Sequence, residues 1–138
     1  MKYAIRYFSK FGHSEQMAQV IAQVINSNAE TVATPLSEKV DILFLGAGIF
    51  LGSVNKAVMQ FIDTLTAEQV GCVVLFGSSA LIGEPTKGMR QALMKRGVKV
   101  YEQAFECKGA MGPVHSGHPD KNDIDNLRAF TEQVIKDL

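Results

Sequence analysis

The stretch Val40-Asp-Ile-Leu-Phe-Leu45 is continuously apolar after Asp41, which reads as a strand near the centre of a parallel sheet, buried on both faces. Such a strand needs helices above and below it. The rest of the chain supplies them, because short apolar runs alternate with amphipathic stretches throughout, in the order β-α-β-β-α-β-α-β-α. The first strand is expected at about residues 2 to 8. Met17, Val20, Ile21, Val24 and Ile25 then share one face of a helix. A short second strand over 30 to 34 ends at Pro35. After the central strand comes a Gly-rich turn at 46 to 52, followed by a helix whose contact face is Val54, Ala57, Val58, Phe61, Ile62 and Leu65. Val70 to Phe76 is the fourth strand, 84 to 96 a poorer helix stopped by Gly97, and the fifth strand starts at Val98 and runs loosely to Phe105. A Gly-rich connection from Gly109 to Gly117 leads to a last helix announced by Pro119, Asp120 and Asp123, burying Ile124, Leu127, Phe130, Val134 and Leu138.

No repeat, low-complexity tract or linker interrupts this series, and 138 residues suit one domain, residues 1 to 138, with a core that needs no disulfide or metal. The fold class expected is α/β: a doubly wound, five-stranded parallel sheet with helices on both faces. Right-handed crossovers and the short link between strands two and three allow the order 2-1-3-4-5. In that order the turns after strands one, three and four meet at one edge and make a crevice. They hold the chain's unusual glycine and serine content: Ser9 to Ser14, Gly46 to Gly52 and Gly77 to Gly83.

The first of these segments reads as an anion site. Ser9-Lys-Phe-Gly-His-Ser14 joins a buried strand to a helix, so the N–H groups of the first helical turn, the Ser9 and Ser14 hydroxyls and the positive end of the helix dipole suit a phosphate. A helix merely capped by Ser9 or Ser14 is the alternative. His13 sits where the dipole disfavours its charged form and a bound phosphate dianion favours it, unless it is simply exposed.

Fourteen basic and fourteen acidic residues, with no long run of either sign, exclude bulk attraction to nucleic acid. The 46% of hydrophobic residues never reach the ~18 unbroken positions of a membrane span, so a soluble protein with no membrane insertion is expected. With no signal-peptide pattern at its start, cytoplasm is the default location. Cys72 and Cys107 fall on separate expected strands and form no short-spaced metal pair. Cys107 has no adjacent base and reads as a core or rim residue, and His115 and His118, without a third ligand nearby, read as a solvated loop and helix entry.

Taken with Asp41-Ile-Leu-Phe-Leu-Gly-Ala-Gly-Ile-Phe-Leu-Gly52, Phe61-Ile-Asp63, the segment Phe105 to Gly109 and the turn Gly117-His-Pro119, the Ser9 to Ser14 loop resembles the flavodoxin family over essentially the whole chain. It is most similar to small, short-chain members. The resemblance implies flavin mononucleotide (FMN) as cofactor. The family's phosphate loop, a hydroxyl residue followed by any residue, Thr, Gly, Asn and Thr, falls here on Ser9, Lys10, Phe11, Gly12, His13 and Ser14. Phe11 lacks the hydroxyl of that pattern, which implies weaker phosphate binding. The flavin ring would lie between Ala47, Gly48, Ile49, Phe50, Leu51 and Gly52 on one side and Gly77, Ser78, Ser79 and Ala80 on the other. Leu51 stands where the family often has Trp, and the later segment has no aromatic, so one stack, about 0.5–1.5 kcal/mol beyond area burial, is missing. Gly52 matches the residue whose carbonyl turns toward flavin N5 on one-electron reduction, a turn that glycine permits at low cost.

Gly46-Ala-Gly48 also invites a dinucleotide-binding reading, but the third glycine is displaced to Gly52 and the next strand ends in Phe76-Gly77, with no acidic residue for a ribose. Receiver domains share the strand order and need carboxylates where this chain has Ser9 and Gly46. The leading expectation is an FMN-binding redox protein passing electrons to redox partner proteins or to a small-molecule acceptor. Its rivals are an FMN-dependent reductase of quinones or small electrophiles, and a flavodoxin-fold interaction domain that has lost flavin.

Overall fold

The computed structural model describes residues 1–10, 12–51, 54–82, 84–108 and 120–138, with the side chains of 50, 51, 80–82 and 108 left out of that description. Its elements follow the expected order: β1 (Tyr3–Phe8), α1 (His13–Ile25), β2 (Ala29–Thr31), β3 (Val40–Leu51), α2 (Lys56–Ile62), β4 (Val70–Ile82), α3 (Lys87–Lys95), β5 (Phe105–Lys108) and α4 (Lys121–Asp137). The strands form one sheet, β2-β1-β3-β4-β5, with every named pair parallel. The alternation of a strand's side chains divides the core into two layers. Ile42 and Phe44 of β3 join Met17, Ile21, Leu127 and Val134 of α1 and α4 on one face. Leu43 and Leu45 join Val58, Phe61, Ile62, Met89 and Leu93 of α2 and α3 on the other. Leu138, expected in the core, is 36% exposed.

The central strands run further than their apolar residues predict. Pairing continues past Leu45 and Phe76 through Gly46↔Phe76, Ala47↔Gly77, Gly48↔Ser78 and Ile49↔Ser79, then shifts register before Leu51↔Ile82. Residues 46 to 51 and 77 to 82 are therefore strand rather than turn. Their glycines make room instead of reversing the chain: a Cβ on Gly46 would stand 2.1 Å from the Phe76 ring, and one on Gly77 would stand 2.7 Å from the Ala47 carbonyl oxygen.

The outer strands are shorter than expected because side chains take over carbonyls a strand would have paired. Val32 N–H still reaches the Tyr7 carbonyl at 2.9 Å. Beyond it the guanidinium of Arg6, only 7% exposed, donates to the carbonyls of Thr34 (2.8 Å) and Pro35 (3.3 Å) and ends β2 at Thr31. Burial lowers the Arg6 pKa, opposed by Glu30 at 3.4 Å. On the opposite edge Val100 forms an isolated bridge with Val73, and Arg90 then donates to the carbonyls of Tyr101 and Glu102, both at 3.1 Å, so β5 itself begins only at Phe105. Helix α3 starts at Lys87 rather than 84, after Pro85 and the N-cap residue Thr86. Gly97, with φ +74°, ends the turn that follows it. Asp120 and Asp123 form a reciprocal capping box at the start of α4. The Gly109 to Gly117 connection, His115, His118 and Pro119 lie outside the described residues.

Candidate functional site

At the end of β1 the chain turns through Ser9 and Lys10 into Gly12, which adopts φ +90° and ψ −3° and is the N-cap of α1. Only glycine takes this backbone without strain. Having no side chain, Gly12 makes no cap hydrogen bond; its own N–H donates to Ser9 Oγ at 2.9 Å, and its carbonyl accepts from Gln16 N–H at 3.0 Å. Ser9 thus stabilises the loop ahead of the helix. It does not satisfy the helix's first-turn donors.

Ser14 is different. It lies in the first turn of α1, is 1% exposed, and its Oγ has no hydrogen-bond partner among the described residues. An unpaired buried hydroxyl costs about 1–3 kcal/mol, so a simple helix cap does not account for it. The Ser14 hydroxyl faces the ends of the two central strands. A Cβ built on Gly48 would lie 3.7 Å from Ser14 Oγ and 3.1 Å from Ser78 Oγ. Residues from α1, β3 and β4 therefore meet at one point, where a glycine keeps the floor open and two serines supply hydroxyls.

The remaining expected site residues are distributed around this point. Lys10 is exposed and His13 half-buried, both at the loop mouth. Ala47 and Ile49 are buried at 0% and 4% exposure, so their side chains belong to the packed interior and their backbone is what the edge presents. Gly77 lies against Pro85, Ser78 is 4% exposed, and Ser79 is half-buried. Phe50, Leu51 and Ala80 lie on β3 and β4, with only their backbone described, and Phe11 and Gly52 lie outside the described residues.

Two neighbours of the site carry no motif. Glu106, beside Gly77 on β5, accepts two hydrogen bonds from Thr86, and the sequence cue to this pair is a carboxylate placed between Phe105 and Cys107 on a short strand. Cys107, in register with Ser78, has its Sγ 3.6 Å from Met17 Sδ. Burial, reinforced by Asp123 and Asp120, pushes its thiol up to about 12, the opposite of an activated nucleophile. A separate cleft of about 870 Å³ runs from Glu15 past Phe8 and Phe61 toward Pro35, and among the described residues only Ser9 of the expected site lines it. Among the described residues no group of three or more His, Cys, Asp or Glu is arranged to hold a metal ion, and no helix is long and apolar enough to cross a membrane.

Comparison with known proteins converges on one family. The family model described as a flavodoxin domain matches residues 4–118. No curated protein matches the sequence. Among solved structures the chain is similar to a flavodoxin from the domain Archaea, at 14% identity and a TM-score of 0.81, covering 99% of this chain and 98% of that one. It is similar to oxidised flavodoxin 1 from Bacillus cereus at 19% identity and a TM-score of 0.76, covering 100% and 99%. A short-chain flavodoxin associated with a PDU bacterial microcompartment matches at 22% identity and a TM-score of 0.71, covering 99% and 98%. With the family model spanning most of its length and the strand order in agreement, the chain belongs to the flavodoxin family of FMN-binding, electron-carrying flavoproteins.

Proposed function

We propose that this protein is a one-domain electron carrier that holds FMN with its phosphate at the Ser9 to Ser14 loop and its ring between the ends of β3 and β4. The observation that carries this reading is the Ser14 hydroxyl, buried at a helix N-terminus without a partner among the described residues, close to where a Gly48 side chain would begin. A phosphate oxygen is the acceptor that such a donor lacks.

In this reading Ser14 Oγ–H donates to the phosphate, and Gly12, in its left-handed conformation, brings the loop backbone close to it. The Ser9 hydroxyl keeps the loop in shape through the Gly12 N–H. Lys10, at the exposed mouth, adds positive charge to a site whose ligand is a dianion. Gly48 keeps the floor beside the Ser14 and Ser78 hydroxyls free of a side chain, while Gly77 lets Pro85 pack close against the strand, so the ring meets mainly backbone groups there. The bound flavin supplies the redox chemistry. The protein needs no catalytic acid or base, and its contribution is to hold, orient and shield the cofactor.

Titrating the purified chain with FMN while following the visible flavin bands tests the reading. Saturable binding with a perturbed spectrum is the expected result. A chain that leaves the spectrum of free FMN unchanged is an interaction domain instead. Rapid turnover of a quinone by a nicotinamide cofactor, in the FMN-loaded protein alone, assigns it to the reductases.

A further inference from the structure

The strand that carries Gly77, Ser78 and Ser79 ends at Ile82, and four residues later the chain is tied down. One carboxylate oxygen, Glu106 Oε2, accepts two hydrogen bonds from Thr86: one from its N–H at 3.0 Å and one from its Oγ1–H at 2.9 Å. Thr86 is 5% exposed and is the N-cap of α3, yet its hydroxyl makes no bond to its own helix. It is spent on the neighbouring strand. Glu106 is the register partner of Gly77, and a Cβ on Gly77 would stand 2.9 Å from Pro85 Cβ. Pro85 and Thr86 therefore fold back against the strand they came from. A carboxylate from β5 holds that return in place.

We propose that Glu106 is a positioning residue for the flavin ring, latching the far end of the 77–82 segment so that its backbone keeps one path beside the cofactor. The segment has little to hold itself with, since Gly77-Ser-Ser-Ala80 carries no bulky side chain. Its geometry is set by its anchors: the β3 ladder along one edge, the β5 ladder along the other as far as Ser79, and the Glu106 carboxylate holding the return beyond Ile82. A carboxylate at the start of α3 also complements the positive end of that helix, and its two bonds are charge-assisted, about twice as strong as neutral ones. The proposal rests on the FMN reading above. It adds a residue that touches neither phosphate nor ring and acts through Thr86.

The test measures FMN and riboflavin dissociation constants and the visible spectrum of the bound flavin in the full chain and three variants. Glu106→Ala leaves the Thr86 N–H and hydroxyl without their acceptor, and is expected to weaken FMN and riboflavin by the same factor, about tenfold, with a shifted flavin band. Glu106→Gln is expected to lose about threefold, less than Glu106→Ala, because an amide oxygen can accept both bonds but without the charge that strengthens them. Thr86→Val keeps the N–H bond and loses the other, for an expected loss of about threefold with both flavins; it decides the matter if Glu106→Ala does not fold. Unchanged affinity and spectrum in Glu106→Ala or Thr86→Val, a loss confined to FMN, or an equal loss in Gln and Ala overturns the latch. A parent chain that binds neither flavin overturns the functional reading itself, an outcome distinct from a binding parent with unaffected variants.

Discussion

Ser14 Oγ and Gly48 face each other across the end of the sheet, 3.7 Å separating the hydroxyl from the place where a Gly48 side chain would begin, and the hydroxyl has no partner among the described residues. The pairing gives Ser14 opposite values in the two states of the protein. Without ligand it is a buried donor with no partner among the described residues, a cost of about 1–3 kcal/mol; in the proposed reading the phosphate turns it into a charge-assisted donor.

Ser14→Ala should therefore stabilise the ligand-free protein and weaken FMN. We expect thermal unfolding of the apoprotein to rise by a few degrees while FMN affinity falls about tenfold, with riboflavin little affected. Calorimetry on both states checks it. A lower melting temperature for the apo variant would mean that the hydroxyl is satisfied within the protein, and that the cavity left by the oxygen dominates.

Gly12→Val separates backbone conformation from steric fit. Among the described residues nothing lies within 4 Å of a Cβ at this position, so none of them blocks the side chain. What resists is φ +90°, at roughly 1–2 kcal/mol for an L-residue, and the valine then stands where a phosphate approaches the backbone. FMN affinity should drop by more than that of riboflavin, and equal losses in parallel titrations would argue against phosphate at this loop.

How much of this was legible in the sequence depended on where side chains, rather than periodicity, decide the structure. Met17, Ile21, Val58 and Phe61 announced their helices because apolar spacing is a local signal, and all four are in the core. The strand order followed from short links and handed crossovers. Gly46 and Gly77 were misread as turn residues, since the sequence does not show that Phe76 and the Ala47 carbonyl occupy the space beside them. Nor does it show Arg6 and Arg90 taking carbonyls 28 to 29 and 11 to 12 residues away, the contacts that cut β2 and β5 short. The Ser9 to Ser14 loop could be recognised as one with two alternatives, cap or phosphate. What bears on that choice, a buried Ser14 hydroxyl without a partner among the described residues, is a tertiary fact.

Cys107 should behave as an inert thiol. With its pKa pushed to about 12 from an ordinary 9.0, chiefly by burial, alkylation by iodoacetamide at pH 8 should run at least a hundredfold slower than for a free cysteine, on the order expected from the thiolate fraction. The linkage has a definite sign: the folded state keeps the proton that the unfolded chain loses near pH 9, so the protein should lose stability as pH rises from about 9 toward 12. Cys107→Ala should flatten part of that alkaline decline. Rapid labelling of Cys107 in the folded protein at pH 8 would contradict the assignment.

The contact between Gly46 and Phe76 makes the last test, because it joins the core to the site. A methyl group at 46 would stand 2.1 Å from a ring carbon of Phe76, which is fully buried. Overpacking of this kind costs about 1–3 kcal/mol. Gly46→Ala should lower the denaturant midpoint accordingly, and since Gly46 pairs directly with Phe76 in the ladder, the strain falls two residues from Gly48 and Ser78. FMN should weaken together with riboflavin, by a smaller factor than for Ser14→Ala. Adding Phe76→Leu removes the ring edge that the methyl meets, so the double variant should be more stable than the two single losses predict, with a coupling of about 0.5–3 kcal/mol. Strictly additive losses would mean that position 46 requires glycine for its backbone and not for the ring beside it.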